Sequence, residues 1–319
     1  MGRFRGGCLL NKRSAIFFVV IAAIILAYFQ SIRIDAPNYE LKLLRHQSII
    51  NNTIEYPYKY RLINPYITNI YFSVLKSFLS EKTAFLLSYY VQNLVVYGFL
   101  LFVFLCFLRL WFDDTGAVIG LLLFAMIIPL SLTGYDTLGD ITTAGLMALG
   151  FFSIKKGKTF MLYPIIFFGA FNELQIVLLA AFYFIGSDIK DKKTWLSAVA
   201  LVLVFIAAYV IIYTLRGGQA GKDEYIWFFT KDAAFNIAHK DWIILWFLMI
   251  TPFLFFIFKG LKHKPGFLKR NFLFTIPVFY FGAFFFIARL REIDKALTIF
   301  IILIPLALIS IIPAHTKKV

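Results

Sequence analysis

Apolar runs of about 18 residues or more recur along this chain, and no water-soluble surface can be built from such runs. The longest extends from Ala84 to Leu110. A backbone that crosses lipid must satisfy its own amide and carbonyl groups, so these runs predict α-helices. The expected fold is therefore all-α, a polytopic membrane helix bundle in a single membrane domain. Hydrophobic residues make up 61% of the chain and charged residues only 15%, which excludes an ordinary soluble domain of 319 residues.

Ten spans are expected. The first runs from Ala15 to Ser31, the second from Ala84 to Leu110, the third from Thr115 to Leu132 and the fourth from Thr137 to Ile154. The stretch Thr159 to Ile185 is too long for one crossing at about 1.5 Å per residue. Asn172 and Glu173 interrupt it, so it reads as two short helices in a hairpin with that pair at the tip; one tilted helix with a buried glutamate is the competing reading. The remaining spans are Trp195 to Leu215, Trp242 to Phe258, Asn271 to Ala288 and Ala296 to Ile312. The first span follows Arg3, Arg5, Lys12 and Arg13 and reads as a retained signal-anchor helix.

Charge placement fixes the expected orientation. With both termini in the cytoplasm, the cytoplasmic segments carry 18 of the 32 lysines and arginines but only 4 of the 17 acids. This asymmetry accounts for nearly all of the net charge of +15 without a nucleic-acid partner. Cys8 and Cys106 form no disulfide or metal pattern. The expected setting is an integral membrane protein of a bacterial inner membrane.

Three outer segments have room for a site: Ile32 to Lys82, Arg216 to Asp241 and the short Arg289 to Lys295. In the first, Asn64-Pro65 reads as a helix cap followed by proline at the first helical position. Ile67, Ile70, Tyr71, Val74, Leu75, Phe78 and Leu79 follow at helical spacing, which predicts an amphipathic helix on the membrane surface. A further helix is expected from Asn38 to Ile50.

The candidate chemistry lies toward the same side. Asp35 follows the first span and could serve as a general base or as a solvated helix end. Asp136 and Asp140, four residues apart, share a helix face at the start of the fourth span. Glu173 sits in an apolar setting and needs a partner. Arg289, Arg291 and Glu292 cluster at the outer end of the ninth span, where arginine matches phosphate oxygens. Tyr58, Tyr60 and Arg61 belong to an aromatic and basic run suited to sugar rings and phosphates, and equally to an aromatic membrane belt.

This layout resembles the GT-C superfamily of membrane glycosyltransferases. The resemblance rests on an early acid after the first span (Asp35) and on the stretch Tyr58-Lys59-Tyr60-Arg61-Leu62-Ile63-Asn64-Pro65. It rests also on the acids Asp136 and Asp140 between the third and fourth spans, and on the hairpin Gly169-Ala170-Phe171-Asn172-Glu173-Leu174. It implies transfer of a sugar from a polyprenyl-phosphate donor to a lipid or glycan acceptor at the non-cytoplasmic face. By that analogy Asp35 would deprotonate the acceptor, Asp136, Asp140 and Glu173 would shape the site or hold a divalent metal ion if one is used, and Arg289 and Arg291 would hold the donor phosphate. Tyr58, Tyr60, Arg61, Asn172 and Glu292 complete the candidate substrate-binding set. Two other functions fit the same pattern: a transporter or flippase for a lipid-linked or anionic substrate, and a noncatalytic subunit of a polysaccharide assembly system.

Overall fold

The computed structural model describes residues 12–54, 58, 61–132, 134, 137–217, 234–239, 241–282 and 293–312. These residues form helices joined by turns, with no strand among them. Four helices are long and apolar enough to cross a membrane: Arg13–Asp35, Glu81–Leu108, Asp114–Ser131 and Lys192–Arg216. The chain is thus a helical membrane protein. The other apolar segments are shorter, among them Thr159–Ala170, Leu174–Gly186 and Ile244–Phe258.

Helix α1 (Lys12–Gln30) continues through a wider π-helical turn (Ser31–Asp35) that swings Asp35 inward. Two short helices follow, α2 (Tyr39–Ile50) and α3 (Ile63–Leu75). The long α4 (Glu81–Leu108) is the central post, packed against α1, α3, α5 (Asp114–Ser131) and α6 (Leu138–Lys155). Its start is set by Ser80, whose hydroxyl accepts from the Thr83 amide, and α5 is started likewise by Asp113. The core along α4 is aromatic and aliphatic, with Phe85, Tyr97, Phe104 and Phe107 fully buried.

The interrupted apolar stretch does reverse direction. α7 (Leu162–Ala170) runs along α6 toward its start, where Asn172 meets Gly139 and Thr143. A 3₁₀ turn (Leu174–Val177) then leads into α8 (Leu178–Gly186), which returns beside α6 with Phe182 against Phe151. Glycines allow the close approach. A Cβ added at Gly150 would lie 2.5 Å from Leu179, and one at Gly169 would lie 2.5 Å from Ile176. The single tilted helix is therefore set aside in favour of the hairpin.

Beyond it, α9 (Lys192–Arg216) is a peripheral helix whose apolar side chains, such as Leu203 and Val210, remain outward. Its end ties back to the first loop: Arg216 donates to the Ile49 carbonyl and to the Tyr66 hydroxyl. α10 (Asp241–Phe258), α11 (Gly266–Arg270, continuing as a π-helix over Asn271–Phe281) and α12 (Leu297–Leu308) complete the described bundle. Every residue of α12 is buried.

The end of the bundle opposite the first loop has its own lock. The Lys264 ammonium donates to the carbonyls of Phe256 and Leu306 and to Ser310 Oγ, joining the C-terminal ends of α10 and α12. Burial brings this lysine down from 10.5 to about 8. Between those values the unfolded chain binds the proton that the folded chain has released, so stability rises with pH across that window. Lys264→Met is expected to lose this slope and about 2 kcal/mol of stability at pH 7, read from thermal unfolding in detergent at several pH values.

Candidate functional site

The first loop and the hairpin tip meet at the start of α6. α3 opens directly on the tip: the amides of Leu62 and Ile63 both donate to the Phe171 carbonyl, at 2.7 and 3.3 Å. This changes the role of Asn64. It is not the cap that its Asn-Pro sequence suggests; Leu62 stands at that position and Asn64 is buried inside the first turn. Its amide donates to Asn172 Oδ1 (2.8 Å) and Thr142 Oγ1 (3.0 Å), and Gln92 donates back to Asn64 Oδ1 (3.2 Å). Asn172 in turn donates to the Gly139 carbonyl (2.7 Å) and Thr143 Oγ1 (2.8 Å). Amides and hydroxyls from α3, α4, α6 and the hairpin form one layer at this level, each holding its neighbour's orientation.

Above this layer opens a small cleft, with Lys42, Arg45, His46, Tyr58, Arg61, Asn64, Gly139 and Asn172 among its lining. Its cations are held by position. Lys42 donates to Asp35 Oδ1 at 2.5 Å and lies 3.8 Å from the centre of the Tyr89 ring. Asp35 is fully buried, and its other oxygen accepts from Asn93 at 2.9 Å. Arg61 Nη2 donates to Glu173 Oε1 at 2.7 Å. Two guanidinium groups lie over the Tyr58 ring, that of Arg45 at 3.4 Å from its centre and that of Arg61 at 5.0 Å. An anion with several acceptor oxygens, such as a carboxylate or a phosphate, matches such a set of donors.

His46 forms the inner wall, edge-on to Phe72, Phe85 and Tyr89. Its Nε2 faces Asn69 Oδ1 at 3.2 Å and its Nδ1 faces the Tyr89 hydroxyl at 3.1 Å. The amide oxygen only accepts, so Nε2 carries the proton and Nδ1 accepts from Tyr89. Burial, with the nearby Lys42 charge adding to it, lowers the His46 pKa below 6.5, against the opposing Asn69 hydrogen bond. Its stabilising contribution is therefore complete above 6.5 and is lost as pH falls through the lower folded-state value. His46→Gln is expected to flatten the fall in thermal stability between about pH 6.5 and 5, measured by thermal unfolding.

The sequence candidates divide into four groups. Tyr58, Arg61 and Asn172 line the cleft itself. Asp35 and Glu173 stand behind it and reach it through Lys42 and Arg61. Asp140 is buried next to Gly139, in a corner shared with Glu173, Asp294, Arg61 and Lys295. Asp136, Tyr60, Arg289, Arg291 and Glu292 lie outside the described residues, as does most of the second outer loop. Among the described residues no group of three or more His, Cys, Asp or Glu side chains could hold a metal ion, so a divalent metal finds no such ligand set there.

Lys42, Arg45 and His46 were not among the residues singled out from sequence. Their signal is their spacing: three and four residues apart on α2, they share one helix face seven residues beyond Asp35. No family model, curated protein or solved structure matches this chain.

Proposed function

We propose that the protein transfers a sugar from a polyprenyl-phosphate donor to a lipid or glycan acceptor at the non-cytoplasmic membrane face. The observation that carries this reading is the cleft, whose lining brings Lys42, Arg45 and Arg61 together with Tyr58 at the end of the bundle fed by the first loop. When the bond from the anomeric carbon to the phosphate breaks, negative charge grows on the leaving phosphate. Cations already fixed by Asp35 and Glu173 meet that charge without first having to reorganise. The aromatic ring beside them suits the sugar, and the amide layer below gives its hydroxyl groups donors and acceptors. The topology that goes with this reading has ten crossings with both termini in the cytoplasm of a bacterium. Its support is the charge asymmetry and the clustering of the lysine-rich turns, such as 259–264 and 186–193, away from the cleft.

Gly139 offers a direct test. A Cβ there would meet nothing nearer than Asn172 Oδ1 at 4.0 Å, so a side chain fits the fold and projects at the cleft wall. Gly139→Leu is expected to lower transfer from radiolabelled polyprenyl-phosphate sugars, and binding of polyprenyl phosphate itself, by at least about tenfold without lowering thermal stability. Wild-type protein that neither binds nor transfers, or a leucine variant that does both normally, would overturn the proposal.

A further inference from the structure

We propose that Asp140, rather than Asp35, takes the proton from the acceptor hydroxyl; this rests on the transferase reading above. A general base needs an oxygen that is not already committed to another donor. Asp35 has none to offer: its residue is 0% exposed, with one oxygen held by Lys42 and the other by Asn93. Its work is to fix Lys42 at the cleft floor, which makes it a positioning residue.

Asp140 has the opposite arrangement. It is only 5% exposed, yet its Oδ1 has no hydrogen-bond partner. A buried carboxylate oxygen left without a donor is costly, and such a cost persists where a ligand supplies the donor. Asp140 stands behind the cleft wall formed by Leu138 and Gly139, its neighbours on α6, and it lies in the field of Arg61, which lines the cleft. Glu173, next to the cleft-lining Asn172, likewise keeps one oxygen, Oε2, without a partner, but its Oε1 is committed to Arg61. Among the described residues Asp140 forms no ion pair of that kind, and the hydroxyl of an incoming acceptor is the donor its position calls for.

The step balances without a further reagent. The acceptor O–H bond breaks and its proton passes to Asp140. The oxygen's electron pair forms the new bond to the anomeric carbon. The bond from that carbon to the phosphate oxygen breaks, and its electron pair leaves on the phosphate, beside Lys42, Arg45 and Arg61. Asp140 then returns its proton to water.

The test uses full-length protein in lipid nanodiscs. Polyprenyl-phosphate-linked hexoses and pentoses serve as donors, native membrane lipids as acceptor, and unglycosylated polyprenyl phosphate as the binding probe. Asp140→Asn is expected to lower kcat at least about 100-fold while donor KM and probe affinity stay within about threefold. It should also lose the acidic limb of the kcat–pH profile, and formate should restore part of the activity of Asp140→Gly. The double variant Asp35→Asn with Lys42→Gln removes both charges together; it should raise donor KM and keep the acidic limb. Full kcat in Asp140→Asn, or loss of the limb in the double variant alone, would overturn the assignment and leave the transferase reading standing. A wild type that binds the probe but transfers from no donor would overturn both.

Discussion

Asp35→Ala is expected to be the most damaging single substitution in the first loop, lowering stability by about 3–5 kcal/mol. The reason is the ammonium it would leave behind. Lys42 is 3% exposed and sits against the Tyr89 ring, so without the carboxylate at 2.5 Å its charge is stranded away from water. The effect should be largely relieved in the Asp35→Asn, Lys42→Gln double variant, because the penalty arises from the uncompensated charge. Thermal unfolding in detergent of the single and double variants measures the coupling directly. Equal losses in both would mean that the pair contributes packing alone.

Arg61→Met is expected to weaken binding of polyprenyl phosphate by about 30-fold or more, the equivalent of about 2 kcal/mol for a charge-assisted contact. Arg61 faces the cleft while its guanidinium is oriented by Glu173 at 2.7 Å and by the Tyr58 ring. Arg61→Lys should recover only part of the loss, since an ammonium cannot present the planar fork or lie along the ring. Arg109→Met provides the control. It breaks a pair of the same length, to Asp114, next to the start of α5 rather than at the cleft, and should leave affinity unchanged. Fluorescence titration of the lipid against the three variants separates these outcomes.

Sequence patterns were sufficient for the features that depend on chain-local physics. Apolar length gave the helical membrane class, and the polar pair Asn172-Glu173 inside an apolar stretch marked a real reversal. The spacing of Ile67, Ile70, Val74 and Phe78 marked a helix whose apolar face is indeed turned outward, as far as its Leu75 end. The features that depend on tertiary approach were hidden. Asn64 carries every mark of a cap, yet the Phe171 carbonyl, 107 residues beyond Asn64's turn in sequence, takes over the α3 amides and frees its side chain for Asn172. Lys42 and His46 read as the wet face of a modest helix until α4 closes over them with Tyr89 and Phe85. Counting apolar segments also overstates how many long helices form, because segments such as α7 and α8 are nine residues each and lean on α6.

The outward side chains of α2 and α3 decide how anything arrives at the site. Leu41, Leu44, Ile67, Ile70 and Val74 point away from the protein beside the opening. A guest carrying a long hydrocarbon tail therefore stays dissolved in the leaflet throughout its approach, and its search covers an area rather than a volume. Occupancy then follows the mole fraction of that guest among the surrounding lipids. Diluting the same vesicles into more buffer would leave it unchanged, whereas adding inert lipid to them would empty the site.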